Sequence, residues 1–181
     1  MLLETPMGDF GWKATDFTLQ DPDGKSFTLS QKLSDKGVLI MFICNHCPYV
    51  QAIASRLAGD TQALMNEGIQ VAAVMSNDYR DVPADSPANM KRFAARHGFS
   101  FPYLVDEGQV VGRAYGAVCT PDFFGFNKNG ELQYRGRLDD ARMGSAAQRE
   151  RELLDAMRLI ALTGKGPKLQ HASVGCSIKW S

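Results

Sequence analysis

The rhythm of apolar and polar residues changes several times along this chain, and each change marks an element. Residues 16–30, "DFTLQDPDGKSFTLS", alternate on either side of Asp21, Pro22, Asp23 and Gly24, which predicts two short strands joined by a turn. Residues 37–43, "GVLIMFI", form an unbroken apolar run rich in strand formers, as in a central strand covered on both faces. Beyond Cys44 the period becomes helical: Val50, Ile53, Ala54, Leu57, Leu64 and Met65 share one face, and Gly68 ends it. The run "IQVAAVMS" is a second buried strand. Residues 37–76 therefore read as a β-α-β unit with parallel strands and a right-handed crossover.

Ser86 and Pro87 have the chemistry of a helix N-cap and first helical position, and the helix they open runs to about His97, with Gly98 as its stop. "FPYLVD" is a short strand, "EGQVVGRAYG" a short helix, and "FFGFNKNGELQYRGR" a hairpin turning at Asn129-Gly130. A last helix is expected from Ser145, where Gln148 completes a capping box. Leu153, Leu154, Met157, Ile160 and Ala161 form its apolar face, and Gly164 closes it. The tail from Lys165 to Ser181 has no clear period.

A chain of 181 residues suffices for one sizeable core and is short for two. No repeat or low-complexity linker divides it, so a single domain over residues 1–181 is expected. Twenty basic residues balance twenty acidic ones, which removes the electrostatic reason to expect nucleic acid or an anionic membrane as partner. Glu4 and Asp9 stand where a signal peptide needs apolar residues, and no window has the length to span a bilayer. A cytoplasmic location is the expectation.

The one loud chemical signal is "FICNHCPYV", residues 42–50. Four cysteines are too few for a disulfide scaffold, and in a reducing cytosol a close pair does redox work or binds metal more often than it supports a fold. With the strand-helix boundary at Cys44, that sulfur sits at the helix N-terminus, where unpaired N–H groups favour a thiolate by up to about 2 kcal/mol. Thiolate is the species that attacks a disulfide. Cys44 is therefore the expected nucleophile and Cys47, one turn on, the resolving cysteine. Asn45 and His46 between them are expected to tune the pair, His46 by donating to the Cys44 thiolate. A stabilised thiolate makes the disulfide the stronger oxidant. No cofactor is needed, because the electrons reside on the two sulfurs.

Two other chemistries compete. One is peroxide reduction, with Cys44 oxidised to a sulfenic acid and then closed by Cys47 or Cys176. The other is a zinc or copper site in which His46, Cys119 or Cys176 joins the pair. A single CxxC supplies only two ligands and no second one follows, which argues against metal.

The CxxC opening a β-α-β helix, with "VCTPDFF" ahead of a hairpin, resembles the thioredoxin superfamily. The N-terminal hairpin "ATDFTLQDPDGKSFTLS" is similar to that of its peroxiredoxin-like (redoxin) branch, and the ending "GCSIKW" resembles a peroxiredoxin-like subgroup. The resemblance covers about residues 14–164 and leaves 165–181 as a tail. It implies an α/β thioredoxin-like fold, a central mixed sheet flanked by helices with an N-terminal β-hairpin extension. It also implies thiol-disulfide oxidoreductase activity on protein or small-molecule disulfides, recycled by a thioredoxin or glutathione system. Cys44 and Cys47 match the family's nucleophilic and resolving positions. Pro121 matches the proline that faces the CxxC after a cis bond, leaving the backbone of Thr120 to pair with a substrate peptide.

Three positions depart from the pattern. Ile43 replaces the tryptophan that thioredoxins carry before the first cysteine, and Val38 replaces their buried acid. Met41 and Cys44 stand where a peroxiredoxin needs a hydroxyl three residues before the peroxidatic cysteine, which weakens the peroxidase reading.

Of the remaining residues, Cys119 reads as a small buried thiol close to the site. Cys176 is a candidate third redox cysteine, since an extended tail from Gly164 reaches ~40 Å. Arg135, Arg137, Asp139 and Asp140 read as a solvated strand end. His97 reads as a helix-terminal cation, and His171 carries no assignment.

Overall fold

The computed structural model describes residues 1–181. In chain order the elements are β1 (Leu2–Glu4), β2 (Thr18–Gln20), β3 (Ser26–Thr28), α1 (Leu29–Lys32), β4 (Val38–Phe42), α2 (Pro48–Asn66), β5 (Gln70–Met75) and α3 (Pro87–His97). They continue with β6 (Tyr103–Val105), α4 (Val110–Tyr115), β7 (Cys119–Thr120), β8 (Asp122–Phe126), β9 (Leu132–Gly136), α5 (Glu152–Thr163) and β10 (Val174–Ser177). No helix is long and apolar enough to cross a membrane.

The apolar run at β4 becomes the middle of a seven-stranded mixed sheet ordered β3-β2-β6-β5-β4-β8-β9. β4 pairs parallel with β5 and antiparallel with β8. Successive β4 side chains go to opposite faces, as strand geometry requires. Leu39, Met41 and then Ile43 join α2, α3 and α5 in one core, while Val38, Ile40 and Phe42 meet Phe17, Tyr115, Phe124 and Phe126 in the other. Each large side chain so buried stabilises the fold by roughly 1.5–3 kcal/mol. The expected thioredoxin-like architecture and its hairpin extension are what the chain builds. Ser86 caps α3 by accepting from the Asn89 N–H at 3.3 Å, and Gly98 leaves it in the left-handed region at φ 70°.

Three expectations are corrected. The last helix begins at Glu152 and not at Ser145. The intervening segment is tied down through its polar groups: the Arg149 guanidinium forks onto Asp60 at 2.6 and 2.7 Å and reaches Asp139 at 3.1 Å. The Glu150 N–H donates to Asp140 at 2.8 Å.

Of the strand-end charges, Arg135 and Asp139 are buried and Asp140 is exposed. Arg135 holds buried Asp122 through two bonds of 3.1 and 2.8 Å, and buried Asp139 also accepts from Arg56 at 2.8 Å. His97 lies against the Phe93 ring, and burial there lowers its pKa, which opposes a cation.

The tail, which showed no period, forms β10. It completes a second, antiparallel sheet ordered β1-β10-β7, so both ends of the chain are built into the fold around the Thr120-Pro121 turn.

Removing one partner of a buried ion pair strands the other charge. Arg149→Met should therefore cost about 3–5 kcal/mol in urea unfolding, whereas Arg158→Ala, which breaks an exposed pair with Glu67, should cost under ~1 kcal/mol. Equal losses would contradict the burial argument.

Candidate active site

β4 ends at Phe42, the Ile43 N–H still donates to the Val74 carbonyl at 3.1 Å, and the chain then leaves the sheet as a short loop, Cys44–Cys47. Pro48 decides where the helix begins. Its ring suits the first helical position and pushes the preceding residue to extended backbone, and Cys47 accordingly has φ −71° and ψ 121°. Cys47 is thus the N-cap of α2, its carbonyl accepting from Val50 and Gln51 at 3.1 and 2.9 Å. This corrects the expected placement: Cys44 lies three residues ahead of the helix, and Cys47 stands at its positive end.

The loop is clamped by a residue that sequence reasoning missed. Asp85 is wholly buried and accepts four hydrogen bonds: from the N–H of Asn45 at 2.8 Å, the N–H of His46 at 3.2 Å, His46 Nδ1 at 2.6 Å and Asn77 Nδ2 at 2.9 Å. An acid some forty positions from the cysteines in a polar loop carries no local signal, and only the fold brings it here. A nitrogen 2.6 Å from a carboxylate oxygen carries the proton, so His46 Nδ1–H is held by Asp85 and sits 3.6 Å from Cys44 Sγ. Asn45 braces the loop: its amide donates to the Ala84 carbonyl at 3.1 Å and accepts from the Tyr103 hydroxyl at 2.8 Å.

Thr120 faces both thiols. Its hydroxyl lies 3.3 Å from Cys44 Sγ, and its carbonyl accepts from the Cys47 thiol, also at 3.3 Å. The Thr120-Pro121 bond is cis, as expected from the resemblance. The substrate edge expected beside it is not free, because β10 pairs with β7, setting Cys176 opposite Thr120 and Ser177 opposite Cys119. A Cβ on Gly175 would fall 1.8 Å from the Thr120 carbonyl oxygen, so only glycine lets the strand approach this closely. Beside Pro121 a cleft of about 250 Å³ opens, walled by Tyr49, Ile53, Ser173 and Val174. A larger one of about 760 Å³, between the N-terminal hairpin and α4, contains no thiol.

The two sulfurs differ in their electrostatic surroundings. Cys47 is lowered to about 4, first by the hydrogen bond from Cys44, with further donation from Thr120 and from the N–H and thiol of Cys176. The contact with the Thr120 carbonyl works the other way. Cys44 is raised by giving that hydrogen bond, by burial and by the Asp85 carboxylate. The hydrogen bond between the two thiols thus favours a charge on Cys47, and the Asp85 carboxylate disfavours one on Cys44.

Cys119 is fully buried, donates to the Pro121 carbonyl at 3.8 Å and is pushed up to about 12, chiefly by burial, which makes it an inert thiol. Of the metal-ligating types, Cys44, His46 and Asp85 come within 4.8 Å of one another. The 2.6 Å between His46 Nδ1 and Asp85 is a direct hydrogen bond, closer than two ligands about 2.0–2.2 Å from a tetrahedral zinc can sit.

The fold and the dithiol define a thioredoxin-like redox protein of the redoxin type. The chain belongs to the AhpC/TSA family, whose profile matches residues 10–135. An uncharacterized conserved protein from Geobacillus kaustophilus is 40% identical with TM-score 0.93, covering 100% of this chain and 97% of that one. A hypothetical protein from Sinorhizobium meliloti 1021 is 36% identical with TM-score 0.91, covering 98% of each chain. The thiol-disulfide oxidoreductase ResA of Halalkalibacterium halodurans is 30% identical over 67% of this chain, which spans 65% of that relative's length.

Asp85→Asn keeps an acceptor but removes the charge facing Cys44. The second thiolate of the dithiol should then appear at lower pH in an ultraviolet titration, with stability reduced by about 1–3 kcal/mol as the loop's donors lose their partner. An unchanged titration would show that Asp85 is not what resists the Cys44 charge.

Proposed function

We propose that this protein is a thiol-disulfide oxidoreductase in which Cys47 carries the reactive thiolate and Cys44 resolves. The observation that carries the reading is the position of Cys47 at the N-terminus of a 19-residue helix, with a second thiol donating to it. The relative named thiol-disulfide oxidoreductase supports the same class.

The reduced pair holds one proton, on Cys44. The Cys47 thiolate attacks one sulfur of a disulfide presented to it, forming a mixed disulfide and releasing the other sulfur as thiolate. Cys44 then attacks Cys47 Sγ, its proton passes to a departing thiolate, and the second thiol leaves. The disulfide gains two electrons and the Cys44–Cys47 pair loses two. As Cys44 gives up its proton, the Nδ1–H of His46 at 3.6 Å can turn toward the anion and offset Asp85. The substrate class is protein or small-molecule disulfides, with a thiol system such as thioredoxin or glutathione completing the cycle. No organic or metal cofactor enters these steps.

With pre-reduced protein, Cys47→Ser should slow reduction of insulin disulfides at least ~100-fold, since a hydroxyl supplies essentially no anion at neutral pH, while Cys44→Ser should exchange once and then stall. The parent should react faster with insulin than with hydrogen peroxide. Peroxide consumption well above that of a free thiol, with insulin left intact, would favour a peroxidase instead.

A further inference from the structure

The two sulfurs that carry the proposed chemistry are sealed: Cys44 is 1% exposed and Cys47 0%. The edge beside them is already paired. A protein disulfide therefore has no open route to Cys47 in this conformation. The third thiol of the cluster, Cys176, is only half-buried, and it packs against the same core as Cys44 and Cys47.

Its position is held from several sides. In the antiparallel register Cys176 faces Thr120, the residue whose hydroxyl and carbonyl each lie 3.3 Å from one of the two buried sulfurs. Hydrogen bonding from the N–H and thiol of Cys176 contributes to lowering Cys47, while burial pushes Cys176 itself up to about 11. The strand carrying it is anchored by Ser173 Oγ on the Pro121 carbonyl at 2.7 Å, by Ser177 N–H on the Met1 carbonyl at 2.7 Å and by Ile178 N–H on the Val118 carbonyl at 3.1 Å. Gly175 alone permits the close approach. β10 thus occupies the edge beside the Thr120-Pro121 turn, and its cysteine lies opposite Thr120 at the dithiol.

We propose that Cys176 is a third redox residue, the boundary sulfur through which an external disulfide exchanges with the buried Cys44–Cys47 pair. The inference rests on the oxidoreductase reading and specifies how substrate reaches the dithiol.

Cys176 attacks the external disulfide R–S–S–R′. A Cys176–S–S–R bond forms, and R′–S⁻ leaves and takes the Cys176 proton. Cys47 attacks Cys176 Sγ, forming a Cys47–Cys176 disulfide and expelling R–S⁻. Cys44 attacks Cys47 Sγ, and Cys176 leaves with the Cys44 proton. The external disulfide has gained two electrons, Cys44 and Cys47 have become a disulfide, and Cys176 is again a thiol.

The test is a single-turnover reduction of insulin by the pre-reduced full chain, combined with non-reducing peptide mapping. Cys176→Ser and Cys176→Ala should both slow the reaction at least ~10-fold. In Cys44→Ser, which cannot complete the last exchange, insulin should leave the tryptic peptides Gly37–Arg56 and Leu169–Lys179 joined by a Cys47–Cys176 disulfide. If both Cys176 variants stay within about twofold of the parent and Cys44→Ser carries an insulin chain on Cys47 with no Cys47–Cys176 link, the relay is overturned and the dithiol reading stands. A parent protein that fails to reduce insulin at all would overturn both.

Discussion

Everything at this site depends on where one proton sits. Cys47 is the N-cap of a 19-residue helix, and the hydrogen bond it receives from Cys44 favours a charge on this second cysteine of the motif. Burial alone would raise both thiols. The surrounding donors decide the outcome, and the Asp85 carboxylate adds to it by penalising a charge on Cys44 while its hydrogen bonds hold the loop in shape. The result is a dithiol with two unlike members, the arrangement that ordered thiol-disulfide exchange requires.

Much of the fold was legible because it follows from local rules. The unbroken run 37–43, the change to helical period after Cys44, the Ser86-Pro87 cap and the Asn129-Gly130 turn each specify their own geometry, and each element forms. The last helix was misplaced because Ser145 and Gln148 offer a good local cap, while Arg149 is claimed by Asp60 and Asp139 on other elements. Tertiary ion pairing overrides a local signal there. The tail strand was invisible for a related reason: four residues with mixed burial have no period, and their partners lie at residue 2 and residue 120.

The site was legible as a motif and misread as a geometry. Cys44, Cys47, Thr120 and Pro121 do come together, and His46 does face Cys44. The placement of the two sulfurs turned on where the helix begins. The helix was expected to open at Cys44, whereas Pro48 is its first residue, and that places Cys47 and not Cys44 at its N-cap. Asp85 had no signal at all, since a clamp made of a distant carboxylate and two backbone N–H groups leaves no trace in local pattern.

The most direct measurement is a ¹³Cβ NMR titration of the reduced protein with its four cysteines resolved. The account predicts that Cys47 ionises first, below the ordinary thiol range, and that Cys44 remains a thiol through the neutral range. A titration in which Cys44 loses its proton before Cys47 would contradict it.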